Sequence, residues 1–144
     1  MKKTLLLTLI AIFISMTGYS QSLWTKTSEG KLSSLEKVDR NSYPKEYQIF
    51  HLNYEALKAQ LKNAPQRESG DASNLIVSFP NADGKLEKFR IYESSVLEPE
   101  LAKRHPELQS YVGQSLDNPG ASIYFSTTIF GLHGLTKSTK ETSY

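Results

Sequence analysis

The chain of 144 residues contains no cysteine. Disulfides, thiol nucleophiles and thiolate-ligated zinc are therefore excluded, and stability must come from packing or from a partner. Histidine is scarce, with copies only at His51, His105 and His133. They lie 54 and 28 residues apart, so no helix can present two of those rings to one metal. An excess of one charge is lacking too. The net charge of +2 comes from 17 basic and 15 acidic residues, and Lys2 and Lys3 supply the whole surplus. The pI near 8.7 thus belongs to the first few residues, not to the folded part. This removes the composition argument for a nucleic-acid binder and for an electrostatically anchored membrane-surface protein. Long hydrophobic runs are missing as well. The most apolar stretch, 5–14, is about half the ~20 residues a helix needs to cross a bilayer. No internal repeat and no low-complexity tract is visible.

What is present begins with an export signal. Lys2 and Lys3 form a positive start, residues 5–14 form the apolar segment, and Gly18 and Ser20 place small residues at −3 and −1. The expected cut falls between Ser20 and Gln21, which leaves 124 residues of neutral balance destined for the periplasm or for secretion. The alternative is an uncleaved anchor or a buried core helix. With 38% hydrophobic and 22% charged residues, the remainder is ordinary globular material of one domain's length.

Residues 21–42 are polar and weakly patterned, and read as an irregular lead pinned by Trp24, the only tryptophan. Leu32, Leu35 and Val38 are spaced for at most a short amphipathic turn. From residue 43 the pattern sharpens into an expected domain over 43–136. Residues 47–52 are rich in β-formers, and Asn53 then makes a helix N-cap with Glu55 in the first turn. Tyr54, Leu57 and Leu61 fall on one helical face, and Pro65 ends the helix. Residues 75–79 and 85–93 read as a hairpin across a turn in which Asp83-Gly84 offers positive-φ positions. Phe89 and Ile91 alternate with Lys88, Arg90 and Tyr92, the signature of a sheet with one solvated face. A short helix over 98–104 has Pro99 near its start, Glu98 and Glu100 in its first turn and Lys103 and Arg104 in its last. Strands are expected at 108–113, 121–126 and 131–136, with turn chemistry at 117–120, and residues 137–144 form a polar tail that does not look like a natural edge. The fold class predicted is α+β, a mainly antiparallel sheet with two short helices, preceded by a signal peptide.

Catalytic chemistry is hard to find. The string nearest a serine-hydrolase elbow, Gly113-Gln114-Ser115-Leu116-Asp117, has Asp where the second glycine belongs, and reads as a polar strand-to-turn connection. Glu98 and Glu100 are explained by the helix dipole. No Gly-x-Gly-x-x-Gly loop occurs. His51 alternates within a strand, and His105 suits the C-terminal end of a helix. His133, between glycines in a strand, is the best metal candidate and a weak one; otherwise no catalytic, cofactor-binding or metal position is assigned. On its residues the chain alone is not an enzyme and holds no cofactor.

The blocks Phe89-Arg90-Ile91-Tyr92-Glu93, Glu98-Pro99-Glu100-Leu101-Ala102 and Ser110-Tyr111-Val112-Gly113, with Asp117-Asn118-Pro119 leading to Gly131-Leu132-His133-Gly134, carry a resemblance. With the upstream segment 47–52, Leu57, Leu61, Phe79-Pro80 and Asp83-Gly84, their order and spacing resemble the N-terminal pro-region of secreted reprolysin-like zinc metallopeptidases of Bacteroidetes bacteria. The likeness spans roughly 43–136. It implies a folding aid or latency module whose partner, in cis or in trans, is a metallopeptidase catalytic domain. Zinc is expected in that domain, on a His-Glu-x-x-His motif that this sequence lacks. The chain is then expected to be a fragment of the precursor, without the catalytic part. Animal relatives can silence zinc with a cysteine thiolate. Here inhibition would instead need steric cover, strand addition or a non-thiol ligand such as His133. Neither nucleic acid nor, after signal cleavage, a membrane is an expected partner. The alternative function is a stand-alone exported binding module for a protein or glycan, with Tyr92, Tyr111 and Tyr124 on its surface, although the core is their preferred place. A third reading, a small hydrolase pairing His133 with a carboxylate, has the least support.

Overall fold

The alternation of apolar and polar residues after residue 75 produces one antiparallel sheet. In the computed structural model, which describes residues 22–31, 45–138 and 142–143, strands β3 (Ile76–Pro80), β4 (Leu86–Glu93), β5 (Gln109–Ser115), β6 (Ser122–Thr128), β7 (Gly131–Lys137) and β8 (Thr142–Ser143) follow one another in sequence order. Every neighbouring pair is antiparallel. Two α-helices, α1 (Tyr54–Leu61) and α2 (Pro99–Arg104), complete the predicted α+β class. The signal segment 1–20, the Ser20–Gln21 junction and the Leu32, Leu35 and Val38 spacing lie outside the described residues.

One face of the sheet is packed. Val77, Phe79, Phe89, Ile91, Tyr111, Ile123 and Phe125 point to it and are buried. Leu57 and Leu61 of α1 cover them, as the predicted helical spacing requires. Asn53 caps α1 by accepting the Ala56 N–H at 3.1 Å on its side-chain oxygen. Phe79 anchors an aromatic cluster, its ring 5.0 Å from Phe125 and 6.1 Å from Phe89, and Phe125 stacks on Tyr111 at 5.1 Å. Gly113 lies at the centre of β5 because a Cβ there would come within 2.6 Å of the Ile91 side chain and 2.7 Å of Ile123.

The lead is not irregular throughout. Strand β1 (Trp24–Thr27) pairs antiparallel with β2 (Ile49–Leu52), and a single 3-10 turn (Glu29–Lys31) follows β1. Leu23 and Trp24 pack against the main core, so the folded unit starts well before residue 43. Trp24 does pin this segment. Its ring sits 5.7 Å from Phe79, and its indole Nε1 donates to the Ser78 carbonyl at 2.7 Å. Strand β2 is shorter than expected, with Tyr47 and Gln48 ahead of it. In the β3–β4 turn only Gly84 takes positive φ, at 74°, and Asp83 does not, because the Gly84 N–H donates to the Asn81 carbonyl at 2.9 Å and closes a turn whose central residues, Ala82 and Asp83, keep negative φ. The polar tail also joins the sheet, through Lys137 at the end of β7 and the Thr142–Ser143 pairing.

Candidate functional site

The register of β3 to β7 lays out the second face of the sheet row by row. One row runs Ile76, Arg90, Gln114, Ser122, Lys137 across five strands. The next runs Tyr92, Val112, Tyr124, Leu135, and a third runs Ser110, Ser126, His133. Neither α1 nor the β1–β2 ribbon covers these rows, since both pack on the opposite face. Tyr124 is 46% exposed and Ile76 47%, while Arg90, Lys88 and Lys137 are all exposed.

The neutral polar groups on this face are tied to one another. Gln114 Nε2 donates to the carbonyls of Pro119 and Ala121 at 2.6 and 3.0 Å, while its Oε1 accepts from Ser122 Oγ at 3.1 Å. Ser110 and Ser126 share a hydroxyl hydrogen bond of 3.0 Å. The cations differ. Lys88, Arg90 and Lys137 make no ion pair with any described residue. The acids within β3–β7, Glu87 and Glu93, belong to the opposite set of rows, opposite Phe79 and Tyr111 respectively. Asp117, at the end of the face, accepts the Lys88 backbone N–H at 2.8 Å.

The three histidines are dispersed. His133 is exposed on β7, opposite Ser126, and its imidazole makes no hydrogen bond or ion pair with a described residue. His105 is the C-cap of α2, and its Nδ1 lies 3.1 Å from Glu107 Oε1. A backbone hydrogen bond and that imidazole hold the Glu107 carboxyl below its ordinary value. His51 is exposed on β2, beside an open cleft of about 490 Å³ lined by Thr25, Asn53 and Glu55 among others. Among the described residues no group of three or more His, Asp or Glu side chains is placed to hold a metal ion. Ser115 is a buried strand end whose Oγ donates to Glu87 and accepts the Asn118 N–H, a strand-to-turn connection as its string suggests.

The tyrosines divide. Tyr111 belongs to the core, where burial pushes its phenol up to about 12 and the Glu93 carboxylate acts in the same sense. Tyr92 and Tyr124 stand on the second face, and the half-buried Tyr92 accepts the Ser73 N–H on its hydroxyl at 3.3 Å. Lys88, Arg90 and Tyr92 are legible as a solvated row in the sequence alternation. Lys137 falls in the expected polar tail, which hides it, and Ser73, buried in a loop and bonded to the Ile91 carbonyl, has no sequence signal at all.

The β6–β7 hairpin adds an apolar point. Ile129 and Phe130, at its tip, are 72% and 85% exposed. Gly131 takes φ of 112° there, and Tyr54 of α1 props the turn by donating to the Thr128 carbonyl at 2.9 Å. Among the described residues no helix is long and apolar enough to cross a membrane. No family model matches this chain, and no curated protein and no solved structure gives a match.

Proposed function

We propose that the chain is the pro-domain of an exported zinc metalloendopeptidase precursor, acting as a folding aid or latency module. One observation carries this reading. The later sequence blocks that resemble such pro-regions fall on β4, α2, β5, the 117–120 turn and β7, and the earlier ones on β2, α1 and the β3–β4 hairpin, whose apolar residues share one core. A likeness in block order and spacing is then a likeness of one folding unit, not of scattered segments. In this reading zinc and its histidine ligands belong to the catalytic domain, and the partner is engaged by surface. The site of action is the periplasm or the exterior. The test is direct. The purified chain shows no proteolysis with or without zinc, and binds a matching catalytic domain added in trans. A hydrolysis rate abolished both by a chelator and by one substitution within residues 21–144 overturns the proposal.

The exposure of Tyr124 on the sheet face opposite α1 favours a second reading, a stand-alone exported binding module for a protein or glycan. Genomic context separates the two. An adjacent reading frame encoding His-Glu-x-x-His supports the pro-domain.

A further inference from the structure

The outer face of the β3–β7 sheet combines three features. It carries Lys88, Arg90 and Lys137 without an ion pair among the described residues, although the chain as a whole is nearly balanced in charge. The strand acids are confined to the other side. Beside the Arg90–Lys137 row lies an apolar band in which Tyr124 is exposed, Tyr92 and Leu135 are half-buried and Val112 is buried between them. Arg90 and Lys137 are three strands apart, about 14 Å at the usual strand spacing. The Gln114 amide and Ser122 hydroxyl between them are bonded to each other and to the carbonyls of Pro119 and Ala121, so they are held in place.

From this we infer that the outer face is a docking surface for an acidic protein surface, one that sets carboxylates against Lys88, Arg90 and Lys137 and apolar side chains against the Tyr92–Leu135 band. Charge complementarity selects the sign of the partner. Its class follows from the band. Leu135 and Ile76 offer aliphatic surface, which suits protein side chains, whereas nucleic acids are held by phosphate contacts and aromatic stacking. Tyrosine and arginine are among the residues enriched at protein interfaces, and they stand here in adjacent rows. The inference deepens the pro-domain reading and rests on its premise that the chain works by covering a protein partner.

The test titrates the purified chain with poly-L-glutamate and, separately, with heparin, at low and at physiological salt. Poly-L-glutamate is expected to bind, and to bind about tenfold more weakly at physiological salt, as screening of exposed charges requires. Neutralising the face with Lys88→Gln, Arg90→Gln and Lys137→Gln should weaken binding about tenfold, since each lost pairing takes part of the interaction. The control set Lys26→Gln, Lys62→Gln and Arg67→Gln, away from the face, should leave it within about twofold. Circular dichroism of both sets checks that they fold. Equal losses in the two sets, or no binding to poly-L-glutamate at low salt, overturn the inference. Heparin binding tenfold tighter than poly-L-glutamate, with the same dependence on the face, overturns it in favour of an acidic polysaccharide. A catalytic domain that binds the wild-type and face-neutralised chains equally removes this surface while the pro-domain reading stands; one that binds neither removes that reading by itself.

Discussion

The indole of Trp24 donates its one N–H to the carbonyl of Ser78, 54 residues away, at 2.7 Å. Ser78 lies on β3, the strand at the edge of the main sheet, and the contact fastens the N-terminal ribbon to that edge. Exposed edges invite unwanted strand pairing, and a side chain laid against the edge protects it. Trp24→Phe keeps a ring against Phe79 and Phe50 but leaves the carbonyl without its donor, at an expected cost of about 1 kcal/mol. Trp24→Ala also loses the packing and should cost about 3 kcal/mol. Urea unfolding of the two variants checks both values, and wild-type tryptophan fluorescence reports release of the ribbon.

Gly113 admits no side chain. Its ideal Cβ would stand 2.6 Å from Ile91 Cδ1, 2.7 Å from Ile123 Cγ2 and 3.1 Å from Phe89 Cβ, all in the core. Gly113→Ala should therefore destabilise the fold by about 1–3 kcal/mol through overpacking, even though alanine suits a strand better. Pairing the change with Ile91→Val, which shortens the nearest side chain, should recover part of the loss in a double-mutant cycle. Thermal midpoints of the four proteins decide it.

Asp117 acts as a substitute for backbone where β4 outruns its neighbour. Its carboxylate accepts the Lys88 N–H, while the Lys88 carbonyl accepts the Leu116 N–H at 2.8 Å. Asp117→Asn retains an acceptor and should cost less than about 0.5 kcal/mol, whereas Asp117→Ala should cost about 1 kcal/mol. Hydrogen exchange at the Lys88 amide should accelerate in the alanine variant alone.

Tyr111 makes stability depend on alkaline pH. Its phenol is raised from 10.0 to about 12, chiefly by burial, so the folded state favours the protonated form. The resulting stabilisation is complete below pH 10 and is lost as pH rises through the interval from 10 to about 12. It amounts to about 2–3 kcal/mol at 1.36 kcal/mol per unit. Tyr111→Phe cannot ionise and should flatten the decline above pH 10, while losing the 2.7 Å bond to Gln109 at lower pH. Denaturant midpoints from pH 8 to 11.5 distinguish the two proteins.

Where the chain repeats a short physical rule, the sequence reading and the structure agree. The β3–β4 hairpin follows from the alternation of Phe89 and Ile91 with Lys88 and Arg90, and α1 follows from Asn53 and the Leu57–Leu61 spacing. Strand β1 escapes because Trp24-Thr25-Lys26-Thr27 has one large apolar residue, and its partner β2 lies more than twenty residues on. Pairing over such a span leaves no local signal. The charged face is half visible, since alternation separates Lys88 and Arg90 from the core. Their alignment with Lys137 depends on the register of three further strand pairs, which no single segment encodes.

The unbroken β3-to-β8 order also bears on how the molecule is made. Each of those strands finds its partner in the next segment of chain, so closing each pair costs little loop entropy and the meander can zip up progressively. The Trp24 strand has no such luck. It leaves the ribosome first, yet the edge it must seal is complete only after β3 and β4 have met. During synthesis the earliest part of the described fold therefore waits longest for its place, and its docking is the closing step that turns a paired sheet into a protected one.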